Sequence, residues 1–331
     1  MRKLFLSTVA VVLATIALVA AGCGSAGTGA ASTATIADGM TVAQIMARSQ
    51  QAMGKVSSAS FTADATFKVS SNGSSATGLM LGGQPIALHL AGKVAGHAGK
   101  VGTSTAARAA AAKAARADIA VTIKTGAQAV DLGFKTTGGR TWVGFQGAWY
   151  AVPRSKRSAG ANATPVPSAT SLGIDPGTWA ASSTVATEQL DGAKVYHVVA
   201  KADTARVMSD FIKALTGPAA SRAAGSAGGA GAELNLLTHD SALLKSLQKS
   251  LASASVEEWI DATSFRLVKG AVTARLHFGS GQSATGLGVQ ATVTLSGFDQ
   301  PVTVVPPLHA KPFKQLTNGL SSLGAASGAG L

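Results

Sequence analysis

The chain has one cysteine, Cys23, so no intramolecular disulfide can staple its fold. Aromatic residues make up only 5% of it and charged residues only 13%. With so few aromatics, the basic residues are not interleaved with the stacking side chains that a nucleic-acid surface uses. Acids are the rarer charge: 15 Asp and Glu stand against 28 Lys and Arg, for a formal net charge of +13. The six histidines (His89, His97, His197, His239, His277 and His309) never fall at a metal-ligand spacing such as i, i+4 on a helix. No metal centre, cofactor or nucleic-acid partner is therefore expected. Long apolar runs are also missing, with one exception at the N-terminus.

That exception is Leu4 to Ala21, preceded by Arg2 and Lys3. A basic start, an apolar run and then small residues make the layout of a secretory signal. Its length, about 18 residues, would also suffice for a membrane span. Ala20-Ala21-Gly22-Cys23 resembles the lipobox of bacterial lipoproteins, with Ala20 where leucine is usual. A thiolate is the nucleophile that accepts a diacylglyceryl group, and small neighbours admit the peptidase. The resemblance implies that residues 1–22 leave as a signal peptide and that lipidated Cys23 anchors the chain. The protein would then sit at the cell membrane on its extracytoplasmic face, held by two acyl chains at about 0.8 kcal/mol per CH₂. The alternative is a plain transmembrane anchor with an incidental cysteine.

Residues 23–40 are Gly, Ala, Ser and Thr with little else, the composition of a flexible tether. Thr41 then opens a helical pattern, with Val42, Ile45, Met46 and Met53 near a 3.6 period and Gly54 as its stop. After it the period becomes two. Phe61, Ala63, Ala65, Phe67 and Val69 alternate with polar residues, and so do Ile119, Val121 and Ile123, then Val130, Leu132 and Phe134. Thr141 to Phe145 and Ala148 to Val152 form a hairpin turning at Gln146-Gly147. Further strands are expected at Lys194–Ala200, Val256–Asp261, Phe265–Lys269, Val272–Phe278, Val289–Leu295 and Val302–Val305. Such alternation predicts antiparallel strands with one buried face. Helices are expected at Asp175–Ser182, behind a Pro at a first helical position, and at Thr204–Leu215 and Ser241–Leu251. Low-complexity insertions lie near 97–115, 155–170 and 217–232, and 313–331 reads as a C-terminal tail. The basic residues densest there, Lys100 to Arg116 and Arg154 to Arg157, fit solvated surface or attraction to anionic lipid headgroups at about 1 kcal/mol each.

Several motifs together resemble the LppX/LprG lipoproteins of actinobacteria, which share the fold of the carrier LolA. They are Ser60-Phe61-Thr62 opening the strands, Gly147-Ala148-Trp149-Tyr150 in a hairpin, and Leu190 to Val198 as turn and strand. Val256 to Leu267 and Gly297 to Pro307 complete the order, so the likeness runs from about Thr41 to Pro312. The resemblance implies an α+β domain over residues 41–312, a curved antiparallel β half-barrel with helices covering its concave face. It also implies that lipid or glycolipid acyl chains are held between sheet and helices without any chemistry.

Independently of the likeness, Ala63, Ala65, Ala274 and Ala291 share strand parity with larger apolar residues. Small residues beneath a helical layer leave room for an acyl chain. The expected lining is Phe61, Ala63, Ala65, Phe67, Ile119, Val121, Val130, Leu132, Ala274, Leu276, Ala291 and Val293. The other reading of the same pattern is a closed core in a non-enzymatic interaction or sensor module.

No catalytic set assembles. Ser246-Leu247-Gln248-Lys249 and Lys124-Thr125-Gly126 match penicillin-binding motifs, but in the wrong order and without S-D-N between them. Gly279 to Ala284 follows a strand as a dinucleotide loop should, yet leads into another strand, so it reads as a hairpin loop. Glu257, Glu258 and Asp261 are the densest acids, and alternation splits their faces.

Overall fold

A computed structural model describes residues 36–71, 84–96, 110–111, 113–153, 180–207, 250–278, 285–316 and 318. Cys23 and the expected insertions near 155–170 and 217–232 lie outside them.

A short hairpin, β1 (Ile36–Ala37) and β2 (Met40–Thr41), leads directly into helix α1 (Val42–Met53). Thr41 caps the helix in a capping box: its hydroxyl accepts from the Gln44 N–H while the Gln44 side chain accepts from the Thr41 N–H. Gly54 ends it, as the sequence predicts.

Twelve strands then form one large curved and unclosed sheet. The first half is a meander: β3 (Ser58–Ser71), β4 (Ile86–Ala95), β5 (Arg116–Thr125), β6 (Gln128–Thr137), β7 (Arg140–Phe145) and β8 (Ala148–Ala151). The second half is another: β9 (Ala180–Leu190), β10 (Ala193–Ala202), β11 (Leu251–Asp261), β12 (Leu267–Phe278) and β13 (Thr285–Ser296). The halves join where β13 lies antiparallel to β3, in register from Thr285 opposite Ser71 to Ser296 opposite Ser60. The short β14 (Lys311–Pro312) extends the far edge by pairing parallel with β8. Tight two-residue turns set the registers. At Asp191-Gly192 and Gln146-Gly147 both residues have positive φ, which matches the twist of the flanking strands.

Two apolar clusters form the core. One lies on β3, β4, β5 and β13 and includes Ala63, Ala65, Phe67, Leu88, Leu90, Ile123, Val289, Ala291 and Val293. In the other, Val42 and Ile45 of α1 and Ala37 of β1 pack on Val185, Tyr196, Val198, Ile260 and Leu267. The β1–β2 hairpin is fixed by an ion pair from Asp38 to Lys194 on β10, 2.6 Å long. That hydrogen bond from Lys194 holds the Asp38 carboxyl below its ordinary value.

Several expectations need correction. The tether does not reach Met40, because Ile36 to Thr41 is folded and Ala37 is buried. Residues 180–182, expected in a helix, open strand β9. Thr204 to Val207 are helical, capped by Asp203, and Ser250 is helical, but Leu251 already belongs to β11. The rest of those two helices falls outside the described residues; among the described residues α1 packs on the β9 to β12 end of the sheet, and the expected helical cover of the concave face is not observed. The strands expected at 265–269 and 272–278 are one strand, β12, starting at Leu267; Phe265 sits in a turn with φ +57°. Val302–Val305 is in no strand: Pro301, Pro306 and Pro307 bracket it and supply no ladder donors. Phe313 to Leu316 form a helical turn that buries Leu316, so the folded part extends past residue 312. Ala110, Ala111, Lys113 and Ala114, at the end of the first insertion, are also helical.

Candidate functional site

Directly opposed residues in antiparallel strands project to the same face, so the registers sort the sheet into two sides. Phe61, Ala63, Ala65 and Phe67 oppose Leu295, Val293, Ala291 and Val289 on one flank, and Gly92, Leu90, Leu88 and Ile86 on the other. Ala274 opposes Val289 and Leu276 opposes Leu287. Val121 opposes Leu90 and Leu132, Val130 opposes Ile123, and Ile119 opposes Phe134. All twelve residues expected to line a cavity thus lie on a single face of the sheet. The side-chain alternation alone brings them together.

Their burial is graded. Ala63, Ala65, Phe67, Ala291 and Val293 are buried, while Phe61, Val121, Leu132, Ala274 and Leu276 are half-buried against them. Ile119 and Val130 are half-buried as well. Toward the β6 end Phe134, on the same face, is 39% exposed. At the opposite end this face carries Val185, Tyr196, Val198 and Ile260, which α1 covers.

Among the described residues two buried polar groups lie on the apolar face, Ser183 opposite Ala200 on β10 and the acid Glu258. Glu258 opposes Val198 on one side and Gly270 on the other, two residues from Val256 and two from Ile260. It is 7% exposed, and its Oε2 has no hydrogen-bond partner. Burial away from water pushes its carboxyl up to about 7. A second buried oxygen without a partner is Ser49 Oγ, one turn past Ile45 on the buried stripe of α1. The sequence shows that alternation splits the faces of Glu257, Glu258 and Asp261, and the parity of Glu258 with Val256 and Ile260 puts it on the apolar one.

The other face is mostly polar, although Val195 and Trp142 are buried on it. There the His197 ring lies between two carboxylates, with Nδ1 2.8 Å from Glu188 and Nε2 3.0 Å from Glu257. It stacks on Trp259 at 4.3 Å, and the Lys269 ammonium sits 4.5 Å from the Trp259 ring centre. The hydrogen bond to His197 lowers the Glu188 carboxyl. Each member of this cluster is satisfied by the next, which makes it a strap across β9 to β12. It holds no hydroxyl or thiol.

Among the described residues no group of three or more His, Cys, Asp or Glu side chains is placed to hold a metal ion. No described helix is long and apolar enough to cross a membrane.

Neither a protein-family model nor a curated protein matches the chain. Solved structures do. LprF from Mycobacterium bovis is similar over 80% of this chain and 95% of its own, at 13% identity and a TM-score of 0.39. A DUF1329 family protein from Desulfovibrio piger is similar over 79% of this chain and 92% of its own, at 9% identity and a TM-score of 0.22. Lipovitellin is similar over 77% of this chain and 27% of its own, at 8% identity and a TM-score of 0.26.

Proposed function

We propose that this protein is a lipid-anchored envelope protein that holds acyl chains against the apolar face of its sheet. The observation that carries the reading is the composition of that face. Alanines at 63, 65, 274 and 291 sit among Phe, Leu and Val, so the sheet presents apolar surface with little side-chain height of its own. A face built that way leaves room for chains of CH₂ groups, each worth about 0.8 kcal/mol when removed from water. The role we infer is binding or carriage of lipid or glycolipid, without chemistry. Cys23, at the end of a signal-like leader, supplies a diacylglyceryl anchor, and the excess of basic residues favours anionic headgroups nearby.

One mass-spectrometric experiment on the full chain from an envelope-bearing host tests both parts. The expected results are a mature N-terminal peptide beginning at acylated Cys23, and acyl lipid co-extracting at about one molecule per chain. A folded protein that yields no lipid would leave an interaction or sensor module with a closed core. An intact leader would remove the anchor.

A further inference from the structure

We propose that Glu258 is the polar recognition point of the lipid site, its carboxyl taking an alcohol hydroxyl of a glycerol- or sugar-bearing acyl lipid. This rests on the lipid-binding reading and narrows it to a ligand class.

Strand parity forces the Glu258 side chain onto the apolar side of the sheet, between Val256 and Ile260 of its own strand. Its two cross-strand neighbours are Val198 and Gly270, so its rung of the ladder offers neither a cation nor a hydrogen-bonding side chain. A carboxyl oxygen buried without a partner is costly, and such groups are paired in folded proteins as a rule. Ser49 Oγ is a second oxygen in that condition, on the inward stripe of the helix that covers the same end of the face. Two unpartnered oxygens in apolar surroundings are what a site looks like when the ligand supplies the missing hydrogen bonds.

The chemistry selects the ligand group. In apolar surroundings a carboxyl favours its neutral form, which both donates and accepts one hydrogen bond. A hydroxyl is its complement, donating and accepting in turn with no net charge buried. An ammonium headgroup would require an ion pair taken out of water, at a desolvation cost that a single carboxylate repays poorly. A carboxylate or phosphate headgroup would meet another acid. Fully apolar chains would leave both oxygens unsatisfied.

The test is a competition. The full chain, delipidated on a resin, is offered equal amounts of monopalmitoylglycerol and methyl palmitate, and retained lipid is quantified by mass spectrometry. The native protein is expected to enrich the glycerol ester. Glu258→Leu should lose that enrichment by roughly fivefold or more, the worth of a hydrogen bond at a buried site, while still retaining methyl palmitate. Glu258→Gln, which keeps a donor and an acceptor, should stay within about twofold of native. Unchanged enrichment in Glu258→Leu overturns the proposal and leaves lipid binding intact. Equal loss of both esters in the Leu and Gln variants also overturns it, because it marks a structural role. Retention of neither ester by the native chain removes the lipid reading itself, and this one with it.

Discussion

At pH 8 the delipidated Glu258→Gln protein is expected to be about 3 kcal/mol more stable than the native chain, a gap that narrows to below about 1 kcal/mol at pH 5. The cause is the burial of Glu258, which moves its carboxyl from 4.5 in the unfolded chain to about 7 in the folded one. Between those values the folded state holds a proton that the unfolded state has released. The unfolded state therefore binds fewer protons, and native stability falls as pH rises through the window from 4.5 to 7. Above it the penalty is complete; below 4.5 both states are protonated and it vanishes. Glutamine does not titrate, so the variant escapes the loss. Asp38, Glu188 and Asp299 act oppositely. Their carboxyls are lowered by hydrogen bonds, so their stabilisation is present above the ordinary carboxylate range and lost in acid. Both proteins share those three, and the difference between the two denaturant curves isolates Glu258. A gap that is the same at pH 5 and pH 8 would contradict its burial as a carboxyl.

The second large effect is on packing. Ile260 is 0% exposed, in the cluster that joins β9, β10, β11 and β12 to α1 and the β1–β2 hairpin. Ile260→Ala removes one methylene and two methyl groups where buried neighbours on both sides limit collapse, so a loss of about 2–5 kcal/mol is expected. Ile45, also 0% exposed, faces the same cluster from the helix. Truncating both should cost less than the two single losses combined, because they share one cavity. Val305→Ala, at a site 66% exposed, should shift stability by no more than about 0.5 kcal/mol. Additive losses at Ile45 and Ile260 would show that α1 does not seat on that end of the sheet.

What could be read from the sequence follows from how strongly each strand alternates. β3 and β13 bury one face, so Phe61 to Val69 and Val289 to Leu295 declare their period and even their shared side. β9 is an edge strand whose one buried large apolar residue is Val185, too little pattern to oppose the proline cue before it. β4 has Ile86, Leu88 and Leu90 in alternation, but then Ala91-Gly92 blends into the low-complexity stretch beyond. Gly92 is there because a Cβ would lie 2.7 Å from the Asp118 carbonyl oxygen, a requirement of the neighbouring strand that local pattern cannot reveal. Lys269-Gly270 breaks the apolar rhythm of β12, yet both residues are paired on both sides, with Trp259 and Glu258 of β11 and with Thr294 and Val293 of β13. That the twelve positions expected to line a cavity share one face is readable, since parity is local and registers preserve it. Glu258 was readable by the same rule. Alternation separates it from Glu257, so no acid pair forms for catalysis, and its burial depends on neighbouring strands that local pattern does not show.

Substitution on opposite sides of one strand tests most directly whether acyl chains lie against the alanine-rich face. Ala274 points into the face and its neighbour Arg275 points away from it. Lipid retained per folded chain should fall by roughly tenfold in Ala274→Trp, whose ring would fill the space above the sheet, and stay within about twofold in Arg275→Trp. Retention unchanged in both would mean that the chains lie elsewhere, and the account would fail.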